Sequence, residues 1–175
     1  MTDDDKKSLA VLSRSATSST GAFNACLDPE TPAGDILAYE FDTIKLRQNK
    51  GRPFKGKSAD ALIVADDEYY LIEFKTGGIA VDDVLRKAYD SALVLIEMGA
   101  LTWQGCREHL TFIVVGKEME KRFQQIYKTP LSDCMQPGYK QVNMDPRVIS
   151  GQVVKEVLLQ TVLDFENYAS EKKWC

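Results

Sequence analysis

A chain of 175 residues, 44% apolar and 27% charged, is long enough to bury a core and has the composition of an ordinary soluble domain. A formal net charge of −4 excludes a globally basic nucleic-acid binder, so any phosphate contact has to come from a local patch. The four cysteines (Cys26, Cys106, Cys134, Cys175) form no C-x-x-C pair and His109 is the single histidine, which excludes a thiolate or imidazole zinc centre and suits a reduced, cytoplasmic setting.

The acidic start "MTDDDKK" is followed by an apolar run, "LAVL", too short for a signal-peptide core, and no stretch reaches transmembrane length. Residues 1–30 read as an N-terminal arm or loosely ordered segment, with Ser/Thr-rich "SRSATSSTG" at 13–21. Residues 31–175 read as a single α/β domain. Thr31 as cap with Pro32 in the first turn predicts a helix through "AGDILAYE". The alternation in "DTIKLRQ", Ile44 and Leu46 against Lys45 and Arg47, predicts a half-exposed strand. A Gly/Pro/Lys loop, "NKGRPFKGKS", then leads to two strands at 59–65 and 69–75.

Val81, Val84, Leu85, Ala88, Ala92, Leu95 and Ile96 recur on one helical face, predicting a helix over 81–98 that Gly99 stops. The unbroken apolar run "HLTFIVVG" (109–116) reads as a buried strand of the parallel kind. An amphipathic helix is expected over 118–128, and irregular chain over 129–147, which holds Pro130, Pro137 and Pro146. A final helix is expected from Gln152 to Tyr168, with Val153, Val157, Leu158, Val162 and Phe165 buried. The order helix, three strands, helix, strand, helix predicts an α/β fold with a mixed central sheet flanked by helices.

The charges in "SADALIVADDEYYLIEFKTGG" carry the chemistry. If the strands at 59–65 and 69–75 form a hairpin centred on Asp66-Asp67, paired residues sum to 133. Asp60 then lies opposite Glu73, and Lys75 shares their face. The other face, Ala61, Ile63, Tyr70, Ile72 and Phe74, is apolar too, so both sides are expected to be covered. Facing carboxylates repel there, and a divalent cation such as Mg²⁺ or Mn²⁺ resolves the conflict. An adjacent ammonium can orient water and offset charge on a phosphate. The alternative is a structural ion-pair cluster in which Lys57 and Lys75 balance the acids. Lys45, Arg47, Lys50, Arg52, Lys55 and Lys57 place six cations in thirteen residues with no acid among them. They suit a phosphate-tracking strand and loop, or equally a solvated edge strand. His109 reads as a strand-start residue rather than a catalytic base.

Asp60, twelve intervening residues and then Glu73-Phe74-Lys75 resemble the PD-(D/E)xK nuclease superfamily, the restriction-endonuclease-like fold, over roughly residues 32–116. Ala59 stands where the family name has proline. The resemblance implies an αβββαβ core, a metal-dependent nuclease, and Asp60, Glu73 and Lys75 as its catalytic residues. It implies Mg²⁺ or Mn²⁺ held by Asp60 and Glu73, with a further acid at Glu40 or, alternatively, Asp35. Lys87 or Arg86 on the following helix, together with Arg52, Lys55 and Lys57, would meet the nucleic acid, expected to be DNA. A homodimer would serve two strands, and no membrane partner is expected. A function of another class stays open beside it: a non-catalytic interaction protein of immunity or inhibitor type that keeps the fold and binds a protein partner.

Overall fold

A computed structural model describes residues 5–16, 23–48, 56–75, 80–116 and 146–174. Six strands form one mixed sheet in the order β1-β4-β5-β6-β7-β8. They are β1 (Lys6–Ser8), β4 (Leu37–Glu40), β5 (Ala61–Ala65), β6 (Glu68–Lys75), β7 (Leu110–Gly116) and β8 (Glu156–Thr161). Pairing is antiparallel from β1 to β6 and parallel from β6 through β7 to β8. A separate two-stranded sheet joins β2 (Arg14–Ala16) to β3 (Phe23–Ala25).

Alternation along the strands sends one set of side chains to each face. Leu62, Leu71, Phe112, Val114, Val157 and Leu159 pack with α3 (Phe41–Gln48), α4 (Val81–Glu97) and Cys106 of α5 (Trp103–His109). Ile63, Tyr70, Ile72, Phe74, Ile113 and Val115 pack on the opposite face. There they meet Leu9 of α1 (Leu9–Leu12), Ala33 of α2 (Pro32–Asp35), and Phe165 and Ala169 of α6 (Val162–Glu171). The expected α/β architecture is present, and the central hairpin has the expected register. Leu62 pairs with Leu71, and Val64 with Tyr69, across a two-residue turn at Asp66-Asp67. Helix α4 ends as expected, with Gly99 at φ 69° and its N–H on the Ile96 carbonyl at 2.9 Å.

Several expectations are corrected, three of them over whole elements. The helix starting at Pro32, capped by Thr31, stops at Asp35, and Leu37–Glu40 forms a strand hydrogen-bonded to β1 on one side and β5 on the other. Sheet pairing on both edges prevails over local helix propensity there. "DTIKLRQ" is helical rather than extended: Phe41 and Ile44, three apart, are buried while Leu46 is 73% exposed, so the Ile44/Leu46 alternation was not a strand face. The expected helix from Gln152 to Tyr168 divides into β8 and α6. Strand β8 pairs in parallel with β7, and Thr161 starts α6 with a reciprocal capping box to Asp164.

Helix α5 precedes β7, so His109 ends a helix instead of opening a strand. Within the stretch read as an arm, Lys6–Ser8 pairs with β4, and Leu9 and Leu27 are fully buried. The expected helix at 118–128, and 129–147 up to Pro146, lie outside the described residues. No helix among the described residues is long and apolar enough to cross a membrane.

Candidate active site

Asp60 ends the segment leading into β5. Its own N–H reaches the Ile72 carbonyl at 3.0 Å, the residue opposite Ala61 in the ladder, so Asp60 and Ala61 both address one residue of β6 as at a bulge. One carboxylate oxygen, Oδ2, accepts the Phe74 N–H at 2.7 Å, a main-chain donor at the end of the same strand. Two side chains of α4 hold the approach: Asp90 accepts the Lys57 N–H at 2.8 Å and the buried Ser91 hydroxyl accepts the Ala59 N–H at 3.0 Å. Backbone groups that no strand satisfies are therefore satisfied by the helix packed over them.

Glu73 lies in β6 on the α4 side and is 1% exposed. Burying a carboxylate this deeply demands charged partners. Two ammoniums supply them. Lys87 Nζ donates to both Glu73 oxygens at 2.7 Å, and Lys75 Nζ lies 2.7 Å from Oε1. Lys87 also lies 3.8 Å from Asp60 Oδ1, so one ammonium stands where the carboxylates of β6 and of the segment entering β5 converge. Lys75 continues the chain to Asp83 at 3.0 Å, and Asp83 pairs in turn with Lys57. Three carboxylates thus alternate with three ammoniums: Asp60, Lys87, Glu73, Lys75, Asp83, Lys57.

Burial, and then the Glu73 charge, push the Asp60 carboxyl up to about 7 against the opposing pull of Lys87, the Phe74 N–H and Lys75. Burial would raise Asp83 as well, but hydrogen bonds from Lys57 and Lys75 carry it down to about 2. For Lys75, burial opposes the ammonium, while the charge and hydrogen bonds of Glu73 and Asp83 win and raise its pKa.

The expected trio Asp60, Glu73 and Lys75 is brought together on one side of the sheet, and Lys87 joins it as an ion-pair partner. Glu40 is not brought in. It pairs with Ala61 in the register, which places it on the α6 face, and its carboxylate is held by Lys7 at 2.8 Å and by the Thr43 hydroxyl. Asp35 lines a surface groove of about 630 Å³ with Pro32, Leu37, Ile63, Ala65 and Trp174, and that groove shares no residue with the carboxylate cluster. Arg86 is exposed on α4. In the basic stretch, Lys45 bonds to Ser58, Arg47 pairs with Asp5 at 2.6 Å, and Lys57 pairs with Asp83. Lys50, Arg52 and Lys55 lie outside the described residues.

Asp83, Asp90 and Ser91 were not singled out from the sequence. Their signal was available: 83, 87 and 90/91 fall at i, i+4 and i+7/i+8, one stripe of the helix that carries Lys87. Among the described residues, no group of three or more His, Cys, Asp or Glu side chains gathers around a point a metal could occupy. Asp60 and Glu73 share one cation, the Lys87 ammonium, at 3.8 and 2.7 Å. A single positive charge already sits between them, and Mg²⁺ needs only one or two protein carboxylates with water completing its shell. Comparison with protein-family models, with curated proteins and with solved structures finds no match.

Proposed function

We propose that this chain is a metal-dependent nuclease of the PD-(D/E)xK type, hydrolysing phosphodiester bonds in nucleic acid, with DNA as the expected substrate. The observation that supports it is the convergence of Asp60, just before β5, and Glu73, in β6, on the Lys87 ammonium. Asp60 and Glu73 would hold Mg²⁺ or Mn²⁺. Such an ion makes water more acidic and offsets charge growing on a phosphate. Asp60, whose carboxyl burial and the Glu73 charge push up to about 7, would bind such an ion as the carboxylate. With an ion held there, Lys87, which now pairs with Glu73, would be available to a phosphate oxygen. Lys75, kept charged by its neighbours, orients the attacking water and donates to the oxygen on which charge develops. A homodimer would let two such sites address two strands.

A second reading rests on one observation, the charge balance. Three acids already alternate with three ammoniums, so the cluster is formally neutral with nothing added. That suits a non-catalytic interaction protein in which the network only braces the sheet against α4.

Lys87→Met separates the two, because it removes the charge and keeps an apolar stem. In the nuclease reading, the variant is destabilised without metal, by roughly 3 kcal/mol, as two carboxylates lose their shared cation. Millimolar Mn²⁺ then raises its melting temperature more than that of wild type. In the bracing reading, Mn²⁺ restores nothing, and wild type cuts neither single- nor double-stranded DNA or RNA. Thermal unfolding with and without Mn²⁺, together with the four-substrate cleavage assay, decides between them.

A further inference from the structure

Asp83 stands at the third position of α4, after an Ala80 cap that makes no side-chain hydrogen bond. An acid at this position ordinarily reaches back to the cap residue's N–H or favours the helix dipole. Here its two oxygens go elsewhere. Oδ1 takes Lys57, from the segment entering β5, and Oδ2 takes Lys75, at the end of β6, at 3.0 Å.

An ammonium on a four-carbon stem has three donors and many rotamers. Glu73 Oε1 pairs with the Lys75 ammonium at 2.7 Å, and Asp83 Oδ2 accepts a hydrogen bond from it at 3.0 Å. Two acceptors on different elements define the position of Nζ and, among the described residues, leave one N–H for another partner. Glu73 alone would let the group swing about a single bond. Lys57 neutralises Asp83 and ties its other oxygen, so Asp83 acts on Lys75 without adding a free carboxylate to the Asp60–Glu73 pair.

We propose that Asp83 is a positioning residue: it fixes the Lys75 ammonium beside Glu73 with one N–H left for water or a phosphate oxygen. This rests on the nuclease reading above. Asp83 touches neither Asp60 nor Glu73 among the contacts described, and its effect reaches the reaction through Lys75.

The test compares Asp83→Asn and Asp83→Glu with wild type, in the full chain, using Mn²⁺ and the substrate that wild type cuts. Asp83→Asn keeps the shape and loses the charge. It is expected to lower kcat by roughly 10- to 100-fold, with KM and Mn²⁺ affinity little changed. Asp83→Glu, which keeps the charge, recovers part of the loss. Carbon-13 relaxation of the Lys75 ε-methylene supplies a readout without turnover: rigid in wild type, mobile in Asp83→Asn. Wild-type kcat in Asp83→Asn, or a Lys75 side chain equally rigid in both, overturns the proposal. A kcat loss that Asp83→Glu does not relieve and that matches a loss of folded protein overturns it as well, because Asp83 is then structural. A wild type that cuts nothing overturns the nuclease reading, and the relaxation data still show whether Asp83 holds Lys75.

Discussion

Burial and the Glu73 charge hold Asp60 at about 7, so between about pH 4 and 7 the folded chain keeps a proton that the unfolded chain has released. Stability from this group is therefore complete below about pH 4 and is lost as pH rises through 7. Asp83 has the opposite sign. Held down at about 2, it stabilises the fold above the ordinary aspartate range, and its contribution disappears as pH falls toward 2. Urea unfolding at about pH 5 and 7.5 isolates the first effect. Wild type is expected to lose on the order of 2 kcal/mol between them, and Asp60→Asn to lose much less. Saturating Mn²⁺ should flatten the wild-type difference by favouring ionised Asp60. An equal slope in Asp60→Asn would assign the pH dependence to other groups. At this scale strand parity put Glu73 and Lys75 on one face, whereas Asp60 reaches them from a bend just before β5, its N–H on the Ile72 carbonyl instead of the expected place opposite Glu73 in the ladder. Asp83 was not legible, because an acid in a helix's first turn is ordinary by its spacing and becomes unusual only when both oxygens are seen on lysines from other elements.

The hairpin that aligns the site turns on two aspartates, and both take positive φ, 51° at Asp66 and 61° at Asp67. This left-handed pair is the geometry of a two-residue hairpin turn whose twist matches its strands, and Asn-Gly satisfies it best. Non-glycine residues are strained there. Replacing Asp66-Asp67 with Asn-Gly should raise stability by roughly 0.5–1 kcal/mol without altering metal response or cleavage, read by thermal melting and the assay above. A lower melting temperature would mean that the two carboxylates have a role outside the turn. Residue pairs summing to 133 followed from the apolar pattern on both sides of this turn. "DTIKLRQ" shows the limit of the same logic. Seven residues accommodate period 2 as readily as period 3.6, and burial of Phe41 with Ile44 selects the helix.

In the molecule as a whole, the β4 edge is covered by β1, and Leu9, immediately after β1, is fully buried against the α6 face. An uncovered strand edge is a template for pairing with other chains. Deleting residues 1–16 should therefore destabilise the chain by at least about 3 kcal/mol and promote aggregation, measured by melting and light scattering. A deletion that melts like wild type and stays monomeric would show the segment to be dispensable.

Local pattern sufficed for the β5–β6 hairpin, the α4 face with its Gly99 stop and the β7 run, since each follows from periodicity within about twenty residues. Tertiary structure alone decided the rest. Leu37–Glu40 became a strand because it has a partner on each side, and Glu156–Thr161 became one because β7 offered a parallel edge. Glu40 left the candidate site because its register with Ala61 turns it to the other face. Of Lys87 and Arg86, the two residues of this helix expected near the site, the packing of α4 across β6 brings Lys87 to Glu73 and leaves Arg86 exposed. These outcomes depend on which surfaces meet, and hydrogen bonding and burial between distant segments outweigh the few tenths of a kcal/mol by which local propensities differ.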